Sequence, residues 1–177
     1  MTLVYQPSEP VSPEEKVIGD IMCECHETTG FDPGDCDCKD IGNAKHECCE
    51  RAIQNKKPAN VGGEQGYTNK GKKLSGSKNS YVPAPPKGSC FPDACSLDSA
   101  GKPKKFYDFK FVCPKGCFFG FDKNGKLKYS SGRGSPGGDF MIKGGRNSQF
   151  NRYKRLGKKL KPPVTEDPRA LESSACK

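Results

Sequence analysis

Two carboxylates and an ammonium fall at a spacing suited to hydrolysis of an anionic ester. In KKFYDFKFVC, residues 104–113, an extended strand sends alternate side chains to opposite faces. Phe106, Asp108, Lys110 and Val112 then share one face, and Tyr107, Phe109, Phe111 and Cys113 form the core face. Asp108 and Lys110 stand roughly 7 Å apart on one surface, close enough to reach a common ligand. Asp93, after Pro92 on the preceding segment, can bring a second carboxylate beside Asp108. Two converging carboxylates repel unless a cation lies between them, and Mg²⁺ favours carboxylate oxygens together with water and phosphate. A phosphodiester repels hydroxide. Its hydrolysis therefore calls for a divalent ion to neutralise charge and acidify a water, and for an ammonium to orient or deprotonate the nucleophile. The competing reading is an ordinary Asp-Lys pair on a half-exposed strand.

These residues need elements to position them. SCFPDACSL, 89–97, and KKFYDFKFVC flank the turn formers Ser99, Ala100, Gly101 and Lys102, a pattern that predicts a β-hairpin. FFGF and KLKYS, separated by Asp122-Lys123-Asn124-Gly125, predict a second hairpin. Upstream, Asn43 can cap a helix running to about Asn55, with Ile41, Ala44, Cys48 and Ala52 at helical spacing. Downstream, a helix over about 146–158 puts Gln149, Tyr153, Leu156 and Leu160 on one face and spreads Arg152, Arg155, Lys158 and Lys159 over the others. Between these elements, residues 56–89 carry little apolar material and suit a substrate-contacting loop. Gly132, Gly134, Gly137 and Gly138 lack the ending of a phosphate-cradling P-loop and read as a flexible loop. The expected organisation is an acidic linker or wrapped extension over 1–40, a catalytic domain over 41–160 and an irregular basic tail over 161–177.

Composition narrows the class. Only 32% of residues are hydrophobic, and 21 Gly with 15 Pro predict long connections around a small sheet. The net charge of +9 is uneven: residues 1–50 hold 3 Lys/Arg against 12 Asp/Glu, and residues 51–177 hold 27 against 9. A basic body with an acidic leader suits a polyanionic substrate, although a Lys-rich surface also serves solubility. The first twenty residues do not resemble a signal peptide, and no apolar run approaches bilayer length, so no membrane insertion is expected. Eleven cysteines point to disulfides, buried thiols or a metal site. Cys23, Cys25, His26, Cys36 and Cys38 can form a zinc site, but their CxC spacing differs from the CxxC of zinc ribbons, and disulfides or buried thiols are preferred. His46 reads as a capping or exposed helix-start residue.

Taken together, the motifs resemble a known family. Pro92-Asp93 followed by Asp108-Phe109-Lys110 resembles the PD-(D/E)XK nuclease signature, and Gln149-x-x-x-Tyr153 is similar to the QxxxY motif of many members. GKPKKFYDFKFVCP most closely resembles VRR-type nuclease domains of bacterial type VI secretion antibacterial effectors, and KHECCERAI resembles their opening helix. The resemblance covers residues 42–160. It implies an α/β fold, a small mixed sheet flanked by helices, with metal ligation by Asp93 and Asp108, a catalytic role for Lys110 and support from Gln149 and Tyr153. It also implies a third ligand from the opening helix, Glu50 with Glu47 as rival. Asp108 stands where many members have Glu, so the strand must approach the metal more closely. Mg²⁺- or Mn²⁺-dependent cleavage of DNA is the implied activity. The implied setting is a toxin secreted by a producing bacterium into the target-cell cytoplasm and held in check by a cognate immunity protein with an acidic contact surface. Repair or RNA cleavage by the same fold, or a cysteine-braced nucleic-acid-binding module without catalysis, are the alternatives.

Overall fold

Strong local signals account for most of the helices and strands. In a computed structural model, residues 3–32, 35–75, 84–132 and 148–177 are described. They form an α/β fold: α1 (Pro13–Thr28), α2 (Cys38–Lys56), β1 (Val61–Gly62), β2 (Ala94–Leu97), β3 (Pro103–Lys110), β4 (Phe118–Phe121), β5 (Leu127–Tyr129), α3 (Gln149–Gly157) and β6 (Arg169–Glu172), then a 3-10 turn at Ser173–Ala175. The chain divides into two compact units: Met1–Ala52 with Phe109–Gly138 and Leu171–Lys177, and Ile53–Asp108 with Asp139–Ala170.

In the first unit the acidic leader contains a helix, α1, which fits an ordered extension and not a plain linker. Ser12 caps α1 by accepting the Glu15 N–H at 3.2 Å, Pro13 occupies the first turn, and Glu14 and Glu15 face the positive end of the helix dipole. Ile18, Met22 and Cys23 are buried along its inner side. Gly19 has no side chain because the Tyr5 ring lies where a Cβ would be, 2.2 Å from its ring carbon. The tail is irregular only as far as residue 168, is ordered as β6 and the 3-10 turn beyond it, and carries no net charge. Gln6 N–H donates to Ala175 O at 2.8 Å, Val4 and Lys177 exchange two 3.1 Å backbone bonds, and residues 161–177 hold three basic and three acidic side chains.

Four disulfides brace this unit among the described residues: Cys23–Cys176, Cys25–Cys48, Cys36–Cys117 and Cys38–Cys113. The four cysteines of the alternative zinc cluster thus have four separate partners, in line with the preferred disulfide reading, and a sulfur in a disulfide has no thiolate to give a metal. One small cluster of this unit consists of Ile41 and the half-cystines Cys38, Cys113 and Cys117, so cross-links supply what a lean apolar interior does not.

Helix α2 begins five residues before the expected Asn43 cap. Its buried stripe in this unit is Ile41, Lys45 and Cys49, whereas Ala44 is exposed and Cys48 half-buried in its disulfide. Lys45 tolerates burial because its Nζ lies 2.9 Å from His26 Nδ1 and 5.7 Å from the Phe111 ring centroid. Burial lowers the Lys45 pKa. Burial, then the neighbouring Lys45, lowers that of His26 to about 4. His46 lies in mid-helix with its ring edge-on to Phe111 at 5.3 Å. The β4–β5 hairpin forms as expected, with Gly125 N–H closing the turn onto Asp122 O at 3.0 Å.

The second unit holds most of the four-stranded sheet, ordered β1-β2-β3-β6, with β1, β2 and β3 antiparallel. The β2–β3 hairpin closes where expected, through Asp98 N–H to Lys102 O at 2.9 Å. α3 is shorter than its expected span; Ser148 caps it by accepting the Asn151 N–H, and residues 146–147 lie outside the described set. Tyr67, Cys90, Cys95, Phe106, Tyr153 and Leu156 form the core of this unit. Tyr67 anchors part of the 56–89 connection by exchanging two 2.9 Å backbone bonds with Cys90; residues 76–83 of that connection, and most of the Gly-rich stretch from 133 to 147, lie outside the described residues.

Candidate functional site

Pairing with β3 brings Asp93 to the Asp108 end of that strand. Ala94 pairs with Tyr107, and the Asp93 N–H also donates to Tyr107 O at 3.0 Å, so Asp93, just before β2, meets β3 at the residue that precedes Asp108. Pro92 has no N–H to extend the ladder, which leaves Asp93 at the mouth of β2 with its side chain half-buried.

Helix α3 covers the Asp108 face of the strand. Phe106 packs on Tyr153 with ring centroids 6.2 Å apart, and Phe106, Tyr107, Asp108 and Phe109 are all buried. Gln149 and Tyr153, one turn apart, both reach Asp108. Gln149 Nε2 donates to Asp108 Oδ1 and to the Tyr153 hydroxyl, the latter at 2.9 Å. The Tyr153 hydroxyl lies 3.1 Å from Asp108 Oδ1 and 2.9 Å from Phe91 O. A carboxylate that is 2% exposed needs such donors, because burying an ion without hydrogen bonds costs several kcal/mol, an order-of-magnitude figure. Burial first, then the Asp108 and Asp93 carboxylates, hold the Tyr153 pKa well above the usual phenol value. Tyr153 is therefore a neutral donor at any physiological pH.

Four of the expected site residues, Asp93, Asp108, Gln149 and Tyr153, thus belong to one hydrogen-bonded and electrostatic cluster in the second unit. Lys110 is the half-buried last residue of β3, two beyond Asp108. Glu50 is half-buried and Glu47 exposed on the part of α2 that belongs to the first unit. Among the described residues no group of three or more His, Cys, Asp or Glu side chains is gathered to hold a metal, so the expected ligands Glu50, Asp93 and Asp108 form no such trio. Mg²⁺ in general is bound through as few as one or two carboxylates, with water and phosphate completing its octahedron.

A second feature was only half legible in the sequence. Arg152, Arg155 and Lys159 recur at helical spacing, but the loop residues they meet, including Lys87 and Asn69, carry no motif. Comparison with protein-family models, with curated proteins and with solved structures finds no match for this chain. Among the described residues no helix is long and apolar enough to cross a membrane.

Proposed function

We propose that this chain is a metal-dependent nuclease of the PD-(D/E)XK type that hydrolyses phosphodiester bonds in DNA. The observation that carries the reading is the clamp of Gln149 and Tyr153 on the buried Asp108, with the Asp93 carboxylate near enough to act on the same phenol. A merely structural Asp-Lys pair on a half-exposed strand has no use for a buried carboxylate held by two donors.

In this reading Asp93 and Asp108 would hold Mg²⁺ or Mn²⁺, which would supply charge neutralisation at the phosphate and an acidified water. Gln149 and Tyr153 are positioning residues that fix Asp108 through its Oδ1. Lys110 presents its ammonium to the charge that builds on the phosphoryl oxygens and orients the attacking water. The basic body, with its excess of 27 Lys/Arg over 9 Asp/Glu in residues 51–177, draws in the polyanion.

The proposed setting is an antibacterial effector domain secreted by its producer and delivered to the target-cell cytoplasm, where the producer's kin are protected by an immunity protein with an acidic contact surface. Four disulfides favour folding or passage through an oxidising compartment, which accords with export. The same disulfides favour a second reading, a braced nucleic-acid-binding module without catalysis. Incubating the protein with plasmid in Mg²⁺, Mn²⁺ or EDTA separates the two. Cleavage with metal and none in EDTA is the expected result. Equal retention of intact plasmid in all three conditions would favour the module, and undiminished cleavage in EDTA would overturn the metal mechanism. An RNA substrate in parallel decides between the two sugars.

A further inference from the structure

Beside the carboxylate cluster, the second unit contains a basic cavity of about 340 Å³ lined by Lys87, Arg152, Arg155 and Lys159, with no Asp or Glu lining it among the described residues. We infer that this cavity binds a backbone phosphate of the nucleic acid, flanking the one that is cut. The inference rests on the nuclease reading for the word "cut", and on its own geometry for the phosphate.

The spacing of α3 builds one wall. Positions 152, 155 and 156 form a stripe on the helix and Lys159 follows in the turn beyond its C-cap, with buried Leu156 and Cys90 as the apolar floor. Two of the cationic heads are fixed by neutral partners, which leaves their charge uncancelled by those bonds. Arg152 Nη2 donates to Ser89 O at 2.8 Å, and Lys159 Nζ donates to Asn69 O at 2.6 Å. The opposite wall is held close by glycines. Gly71 has φ +81°, and a Cβ there would stand 3.1 Å from Lys159 O; Gly88 has φ +84°, and a Cβ there would stand 3.4 Å from Asn69 Cβ. The guanidinium of Arg152, preset by its bond to Ser89 O, has the fork geometry that matches phosphate oxygens.

The segment 89–93 links this cavity to the carboxylates. Arg152 holds its Ser89 carbonyl, Tyr153 holds its Phe91 carbonyl, and Asp93 follows. Cys90 on the cavity floor and Asp93 are three residues apart, a span of at most ~11 Å. At ~3.4 Å of rise per nucleotide, a phosphate in the cavity lies within about three nucleotides of one at the aspartate pair. Neighbouring residues of one helix would thus serve two purposes, with Tyr153 aligning a carboxylate and Arg152 gripping the strand.

The test is binding of a fluorescent duplex oligonucleotide to the full-length, disulfide-intact protein in EDTA, measured across a KCl series. Arg155→Gln with Lys159→Gln should weaken binding at least tenfold and reduce the salt slope by about 1.8, two contacts at ~0.9 each. Lys87→Gln, on the opposite wall, should weaken binding severalfold. Lys126→Gln with Lys128→Gln, an equal charge loss on the exposed β4–β5 hairpin, should change it less than twofold. Thermal melting of each variant verifies folding. Binding of the Arg155/Lys159 variant within twofold of wild type, or an equal loss in the hairpin control, would overturn the inference. So would a loss confined to anionic phosphatidylglycerol vesicles, which would assign the cavity to lipid headgroups. If the cavity variants lose DNA while the wild type never cleaves it, the phosphate site stands and the nuclease reading falls.

Discussion

The Tyr153 hydroxyl lies 3.1 Å from Asp108 Oδ1 and 2.9 Å from Phe91 O, and it also receives a hydrogen bond from Gln149 Nε2. One phenolic proton is shared between a buried carboxylate and a backbone carbonyl, and the amide of Gln149 completes the arrangement. Tyr153→Phe removes that proton with almost no change in volume. The expected cost is ~1–3 kcal/mol of stability, since buried acceptors lose a donor. Denaturant titration measures it, and a loss below a few tenths of a kcal/mol would show the network to be slack. Nuclease activity, if present, should fall about tenfold or more without a comparable fall in DNA affinity.

Carboxylates and ammonium should separate in binding while agreeing in turnover. Asp93→Ala and Asp108→Asn each remove a metal ligand and a negative charge, so cleavage should fall by at least ~10²-fold while affinity for DNA in EDTA holds or rises. Lys110→Ala should also lose ~10²-fold or more in turnover, but with slightly weaker binding. Oligonucleotide anisotropy beside a plasmid nicking assay reads both. Near wild-type cutting by a folded Asp108→Asn protein would mean that β3 is structural.

Every disulfide has one cysteine within the first forty residues: Cys23, Cys25, Cys36 and Cys38. Deleting residues 1–40 should therefore expose Cys48, Cys113, Cys117 and Cys176 as reactive thiols and unfold much of the first unit. The milder Cys23→Ser with Cys176→Ser opens a loop closure of sequence separation 153 and should cost ~2–5 kcal/mol. Thiol titration and thermal melting test both.

Acid should weaken the first unit through His26. Its folded pKa of about 4 lies below the ordinary 6.5, so between those values the unfolded chain holds the extra proton. Stability from this group is complete above pH 6.5 and is lost as pH falls towards 4. His26→Gln should flatten that part of the stability profile relative to wild type, as followed by urea midpoints from pH 7 to 4.

Alkali should weaken the second unit. Burial pushes the Tyr67 pKa up to about 12, with help from Cys95, and the Cys95 thiol up to about 11. Both are acids that the fold keeps protonated. The unfolded chain releases their protons first, from about pH 9 for the thiol and 10 for the phenol, so stability present below pH 9 is lost as pH rises through 11 to 12. Tyr67→Phe with Cys95→Ala should show a smaller decline in denaturant midpoint between pH 8 and 11 than wild type.

Local patterns were enough to foresee the hairpin and the helix that carry the aspartates and their neighbours. Alternating residues around a Gly-containing turn set the β2–β3 hairpin that brings Asp93 to the end of β3 near Asp108, and helical spacing put Gln149 and Tyr153 on one face. These are short-range properties of the chain, carried by neighbours within a strand or a turn. Tertiary contacts decided the rest. Ala44 and Lys45 are adjacent in sequence, yet Lys45 is the buried one, because His26 from another helix and the Phe111 ring receive its ammonium. β3 is buried on both faces because α3 lies over Asp108, which alternation within the strand alone does not reveal. Cysteine pairing across separations of up to 153 residues, and the meeting of Lys159 with Asn69 ninety residues away, depend on how the elements assemble, since no local propensity distinguishes one distant partner from another.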